Sequence, residues 1–369
     1  MGEGRKTMGI ALAVMLIVVF ASFHLYRRIR PSKVMPVFPL PALPRYTPRV
    51  SFLVPAWNDG PHIVDFVAYY KQLTYPDKEL ILCVGGNDRS EAMARSLADS
   101  DIHVITQHAG EGKQVALRHS YSVSSGDIIY LTDIDCRLQD DTVNNLLGTM
   151  LNNGYQAVTG ASKPLKEQEL EPFVQIQWAI DQYLAPHLTS STSGLLGRNA
   201  AVMRHALNAV NAFNEDVAAG TDYFLAKKLL AHGFQIYYVP GYPVATEYPD
   251  SIPVYIHKQA RWIRNVFVLG RQFHNHSEVF SALKTLLLPV VTAALLLTSI
   301  ILASAHSPIF WPTATTALLS VLHPYLNRRW YLKQAGLKIS GPSPWLHWYA
   351  DMRAAMRATW QILRNKVVW

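Results

Sequence analysis

The chain has 369 residues, half of them hydrophobic and only 16% charged, with a formal net charge of +8. That length holds one large domain or two smaller ones, and the low charged fraction is unusual for a wholly soluble globule. A basic balance suits nucleic acid, an anionic membrane surface or an anionic substrate, and the basic residues gather beside apolar segments, which favours the membrane.

Met8–Tyr26 is a run of 19 residues without a formal charge, long enough to cross a bilayer. Arg27, Arg28, Arg30 and Lys33 follow at once, and no small-residue cleavage site stands out. Residues 1–30 therefore read as a membrane anchor rather than a removed signal peptide, with the cationic cluster cytoplasmic and the amino terminus outside. Residues 31–48 carry six prolines and read as a stiff linker along the membrane.

From Arg49 the pattern alternates. Strands are predicted at Arg49–Pro55, Glu79–Val84, Ile102–Thr106 and Ile128–Leu131. Helices are predicted over 60–72, 90–98 and 112–122. Such alternation implies an α/β unit with parallel pairing and right-handed crossovers. Helices are expected over 141–152, 167–188, 199–210 and 221–232, with extended segments at 157–160 and 235–239. Residues 49–275 are thus read as one domain. Residues 283–327 carry two further candidate spans, 286–305 and 309–326. Residues 328–369 are basic and Trp-rich, and 345–369 reads either as an interfacial amphipathic helix or as a helix packed on the domain. Cys83 and Cys136 are the only cysteines and show no metal-type spacing, so a disulfide framework is not expected and a reducing location fits.

The strand Ile128–Leu131 is followed by Asp133-Ile134-Asp135. If that segment stays extended, the two carboxylates share a side at the carboxyl end of a parallel strand, where open α/β sheets bind ligands. Two hard oxygen donors suit Mg²⁺ or Mn²⁺ with phosphate; they equally suit caps for the next helix. Gly110-Glu-Gly-Lys113 places glycines and a cation before a helix, a pattern that can meet phosphate. Asn58 or Asp59 after Val54-Pro55-Ala56-Trp57, and Thr221 or Asp222 downstream, are by themselves ordinary helix caps.

Taken together and in order, Pro55-Ala-Trp-Asn-Asp59, Gly112-Lys-Gln-Val-Ala-Leu117, Gly126-Asp127 and Asp133-Ile-Asp135 resemble the membrane-bound, inverting family-2 glycosyltransferases of the GT-A fold. Gly197-Arg-Asn-Ala-Ala-Val-Met-Arg204, Gly220-Thr-Asp222, and Thr246-Glu-Tyr-Pro249 followed by Lys258-Gln-Ala-Arg-Trp262 continue that resemblance over residues 49–270. It implies an α/β, Rossmann-like, mostly parallel catalytic domain with flanking transmembrane helices. Pro55, Ala56, Asp59 and Asp88 would line the nucleotide, and Lys113 would lie near its diphosphate. Asp135 and Asp133 would hold Mg²⁺ or Mn²⁺, and Asp222 would be the catalytic base. Gln259, Arg261 and Trp262 would sit beneath donor and acceptor.

The chain departs from the family pattern in three places. Val84-Gly-Gly-Asn-Asp88 offers only Asp88 where a carboxylate pair is usual; Thr221 replaces a Glu; Lys258 replaces a Gln. The expected activity is transfer from a nucleotide-sugar donor, UDP-linked, to a lipid or glycan acceptor at the cell inner membrane, with the catalytic domain cytoplasmic. A processive polysaccharide synthase is the alternative, although three spans are few for a channel. A catalytically silent nucleotide-sugar-binding scaffold is another. A nucleotidyltransferase would leave Asp222 and the Arg-Trp segment without a role.

Overall fold

The computed structural model describes residues 2–29, 38–217, 219–337 and 341–365. Arg30 and Lys33 of the expected cationic cluster, residues 31–37 of the expected Pro-rich linker, and residues 366–369 of the expected interfacial segment lie outside the described residues. In chain order the elements are α1 (Gly2–Ile29), β1 (Val50–Trp57), α2 (Gly60–Lys71), β2 (Lys78–Gly85), α3 (Ser90–Ser96), β3 (Ile102–Thr106), α4 (Gly112–Val123), β4 (Ile128–Leu131), α5 (Asp140–Asn153), β5 (Ala157–Pro164), α6 (Pro172–Leu184), β6 (Ser190–Thr192), β7 (Ala200–Met203), α7 (Arg204–Ala209), α8 (Thr221–Ala231), β8 (Ile236–Thr246), α9 (Ile252–Gln272), α10 (His276–Ser304), α11 (Phe310–Gln334) and α12 (Ser343–Leu363). They form two units: an α/β unit of Met35–Glu169 with Ala185–Tyr248, and a helical unit holding α1, α6 and α9 to α12.

In the α/β unit eight strands lie in the order β3-β2-β1-β4-β7-β5-β8-β6. β1 pairs in parallel with β2 and β4, and β2 with β3. β7 runs antiparallel between β4 and β5, β8 lies parallel to β5, and β6 closes the edge antiparallel to β8. The result is the mostly parallel, mixed α/β sheet that the strand–helix alternation predicts.

The central strands read as unbroken apolar runs because helices cover both faces. Successive side chains point to opposite faces. Phe52, Val54, Leu80, Leu82 and Tyr130 therefore pack with Ile63, Phe66 and Tyr70 of α2 and with Leu146, Leu147 and Met150 of α5. Leu53, Ile81, Ile129 and Leu131 face Leu117 of α4, Leu207 of α7 and Leu225 and Leu229 of α8. Each such side chain contributes about 1.5–3 kcal/mol by leaving water. Cys83 and Cys136 are both free and buried, and burial pushes each thiol up to about 12.

Several expected elements differ. The 167–188 helix is α6 alone, preceded by a 3-10 turn at Lys166–Gln168 and followed by β6. Pro172 starts it and Pro186 stops the residue before it from remaining helical. The 199–210 helix is instead β7 and the short α7. Its Ala-Ala-Val-Met run has no strong local preference and becomes a strand because β4 and β5 offer open ladders on either side. The span expected at 309–326 lies within α11, which carries Pro324; among the described residues only Gly4–Ile29 and His276–Ser304 are apolar and long enough to cross a membrane. Residues 38–48 are fastened to the α/β unit: the Tyr242 hydroxyl donates to the Phe38 carbonyl at 2.9 Å, and the Tyr75 hydroxyl to that of Pro48 at 2.7 Å. The expected 49–275 domain is divided, since α6 and α9 pack within the helical unit.

That unit is held by small residues. Ala260 and Ile263 of α9 meet Ala354 and Ala358 of α12 and Leu286 of α10. Ile176 and Ala179 of α6 meet Leu332 of α11. α11 caps α1: the Trp330 indole donates to the Arg27 carbonyl at 3.1 Å and Lys333 to that of Arg28 at 2.6 Å. These satisfy carbonyls at a helix end that have no partner within the helix.

Candidate active site

The loops after β1, β2, β3 and β4 and the start of α8 place the chemistry-bearing residues of the α/β unit in two groups. The first lies after β1 and β2, which run side by side to Trp57 and Gly85. Asn58 adopts φ 58°, and its side chain accepts from the Asn87 backbone N–H at 2.8 Å, tying the two loops. Asp59 occupies the cap position of α2, but its carboxylate accepts from the Trp57 N–H at 2.9 Å and caps nothing. Burial, with Asp88 and Glu247 adding to it, holds Asp59 above its ordinary pKa. Asp88 is lowered by two hydrogen bonds from Ser90, at 3.0 and 2.8 Å. Ala56 is buried and Pro55 partly so. A side chain at Gly85 would strike the Gln107 carbonyl and the Trp57 ring, so the missing carboxylate of the β2 loop has no room there.

The second group is tighter. β4 stops at Leu131, and Asp133-Ile134-Asp135 forms a turn in which the Cys136 N–H donates to the Asp133 carbonyl at 3.1 Å. The extended geometry expected for this pair is therefore absent; four strand residues are all that β1 and β7 pair with, and the chain bends as soon as the ladder ends. Neither carboxylate sits at the cap of α5, where Gln139 stands. Lys113, in the first turn of α4, reaches Asp133 at 2.5 Å. Burial works against the charge of Lys113, but Asp133, Asp222 and Asp135 together keep its pKa above the ordinary value. The α4 entry turns on Gly110 and Gly112 at φ 88° and 66°, a conformation open to glycine at no steric cost.

Asp222 lies in the first turn of α8, where Gly220 is the cap, so it is not itself the cap. Its two oxygens accept from the Tyr223 N–H at 2.9 Å and the Gly197 N–H at 3.4 Å. A Cβ at Gly197 would come within 3.0 Å of the Asp222 Cβ, so this glycine makes the space the carboxylate occupies. Lys113, Leu117, Leu131, Thr132, Gly197 and Asp222 line one small pocket.

Lys113, Asp133, Asp135 and Asp222 are thus brought together, with all three carboxylates acting on the charge of Lys113. Among the described residues no three His, Cys, Asp or Glu side chains are grouped to hold a metal unaided. Asp133 and Asp135 supply hard oxygens beside Lys113. That set fits Mg²⁺ or Mn²⁺, which commonly take one or two carboxylates and complete their shell with phosphate oxygens and water. Gln259, Arg261 and Trp262 lie on α9, in the helical unit, with Trp262 exposed and Gln259 lining a cavity there.

Two contributors carried no assigned role in the sequence. Gly197 stood in a quoted segment, but its use is visible only against Asp222. Thr246, fully buried at the end of β8, donates to Asp135 at 3.2 Å. Arg204 is structural: it donates to the Gly126 carbonyl and to Ser124 at 2.8 Å.

Residues 48–265 match the family model described as glycosyltransferase like family 2. An N-acetylglucosaminyltransferase of Rhizobium leguminosarum bv. viciae is 25% identical over 284 residues, 70% of this chain and 65% of the relative. One from Rhizobium meliloti (strain 1021) is 25% identical over 72% of this chain and 66% of its own length. The chain thus spans a little under two thirds of the length of these curated relatives. Among solved structures, a mannosyltransferase from Pyrobaculum calidifontis, determined in complex with GDP-Man and Mn²⁺, matches 98% of this chain and 100% of its own, with a TM-score of 0.54 and 17% identity. That likeness is one of fold.

Proposed function

The chain belongs to glycosyltransferase-like family 2, and on that premise we propose that it is a membrane-bound, metal-dependent, inverting glycosyltransferase. The observation that carries this reading is the convergence of Lys113, Asp133, Asp135 and Asp222 beside the carboxyl end of β4. A base, a phosphate-directed cation and two hard oxygen donors are the parts that displacement of a nucleoside diphosphate requires. Asp222 takes the proton from the acceptor hydroxyl as its oxygen attacks the anomeric carbon on the face opposite the diphosphate. One displacement inverts that centre. Lys113 meets the charge that develops on the leaving diphosphate. Mg²⁺ or Mn²⁺ would be held by Asp135 and Asp133, and when bound it supplies further neutralisation of that charge. Pro55, Ala56, Asp59 and Asp88 form the nucleotide end.

The donor is a nucleotide-sugar, UDP-linked, and the acceptor a lipid or lipid-linked glycan. What supports the lipid is the pair of apolar helices, Gly4–Ile29 and His276–Ser304, of which only 11% and 22% of the apolar window is buried. Little-buried apolar helices are not core helices of a soluble unit. Arg353 and Arg357 on α12, with exposed Trp345 and Trp360 on the same helix, suit a cytoplasmic, anionic leaflet. Purified full chain with Mn²⁺, labelled UDP-N-acetylglucosamine, other UDP-sugars or GDP-mannose, and membrane lipid extract should yield labelled lipid. Absence of transfer from every donor overturns the reading. A ladder of long products would assign the chain as a processive synthase instead.

A further inference from the structure

Within the helical unit, α6 and α9 to α12 enclose a cavity of about 340 Å³, within the range of small-molecule sites. Gln259, Arg328 and Asp351 line it together with Ile263, Met352 and Leu288. None of these belongs to the carboxylate group of the α/β unit, and the cavity lies within one unit.

Its polar end is buried and balanced. Arg328 is 7% exposed; it donates to His347 Nδ1 at 3.0 Å and to the Pro324 carbonyl at 2.9 Å, and it pairs with Asp351. The other Asp351 oxygen accepts from the Tyr255 hydroxyl at 2.5 Å. Both oxygens of the carboxylate are therefore engaged, and the guanidinium keeps few free donors. The Gln259 amide makes no hydrogen bond among the described residues, so an uncommitted donor and acceptor face the space. α10 contributes Thr285 and Leu288 to the lining; Leu288 is 38% exposed and lies beside exposed Leu283, Leu287 and Val291 on a helix long and apolar enough to span a membrane.

From this polarity we infer that the cavity is a lipid-binding site for a molecule with an uncharged, hydroxylated head and a hydrocarbon chain. The head seats against Gln259 and the Arg328–Asp351 pair, and the chain leaves past Leu288 along α10. A phosphate head is disfavoured, because Arg328 is already neutralised and Asp351 would repel it. A diacylglycerol and a polyprenol share this chemistry. The inference rests on the membrane reading of α10, but its test does not depend on sugar transfer.

The full chain, reconstituted in phosphatidylcholine nanodiscs, is irradiated with photoactivatable diacylglycerol, polyprenol or phosphatidic acid, and labelled peptides are read by mass spectrometry. At least one neutral probe should label α10 or α12 peptides about tenfold above phosphatidic acid, with competition by the same unlabelled lipid. Which neutral probe wins identifies the source. Leu288→Trp should abolish labelling, whereas Leu287→Trp, 47% exposed and outside the cavity lining, should not. Gln259→Leu should weaken it severalfold. Equal labelling by phosphatidic acid, equal loss in both leucine variants, or absence of labelled α10 and α12 peptides would each overturn the proposal.

Discussion

The same parallel strands carry a carboxylate site at each end, and the two are built oppositely. At the amino ends, Glu79 is buried and saturated. Ser51 donates to it at 2.5 Å, the Ser125 N–H at 2.6 Å and the Gly126 N–H at 3.2 Å, and Arg49 lies at 3.3 Å. Burial opposes the charge, but these donors prevail and hold Glu79 at about 2. At the carboxyl ends, Asp133 and Asp135 are partly exposed, and they act with Asp222 on the charge of Lys113. A buried carboxylate held by several donors fixes a fold; a partly exposed cluster of carboxylates and a lysine at an open edge is suited to receive a ligand.

Breaking each end separately should therefore give different failures. The largest effect is expected at Asp222. Asp222→Asn should lower transfer by about a thousandfold, the middle of the range for loss of a positioned base, while calorimetry shows donor binding retained. Unchanged transfer would remove Asp222 from the chemistry.

At the other end the loss should be of stability. The folded-state pKa of Glu79 is depressed from 4.5 to about 2. Its contribution, about 3 kcal/mol, is complete above pH 4.5 and disappears as pH falls from 4.5 through 2. Glu79→Gln should destabilise the α/β unit at neutral pH and flatten that acid limb in denaturant titrations. An unchanged limb would contradict the saturated-site description.

Asp135→Asn should reduce transfer about a hundredfold and raise the Mn²⁺ concentration needed, with stability little changed. Thr246→Val should move the metal requirement the same way by about tenfold, since a partner that orients a ligand costs 10–100-fold when lost. The smallest expected change is at Gly197→Ala. Its Cβ would press on Asp222, shift α8 by a few tenths of an ångström and lower kcat severalfold, with KM for donor unchanged. A rise in KM alone would mean that Gly197 shapes the donor site instead.

Most of the residues that converge at the carboxyl ends were legible in the sequence. Strand periodicity marked β1 to β4, and ordered motifs marked Lys113, Asp133, Asp135 and Asp222. The amino-end site was not legible. Glu79 reads as an exposed strand start, and only packing shows that Ser51, Ser125 and Gly126 converge on it from three segments. Gly126 illustrates the reason: a Cβ there would lie 2.5 Å from Ser51 Oγ, a contact between residues 75 apart in sequence. β7 escaped for a related reason, since its ladder partners, not its Ala-rich composition, make it a strand.

By itself, then, the sequence determined the alternation of strands and helices, the two apolar helices and the residue types of the carboxylate–lysine cluster. Those follow from local periodicity and from chemistry that needs particular side chains. The tertiary structure alone decided the turn at Asp133–Asp135, the space Gly197 leaves for Asp222, the anchoring of Asp135 by Thr246, and the balanced Arg328–Asp351 cavity. Each depends on contacts between distant segments, whose closure is set by how the whole chain packs rather than by any local preference.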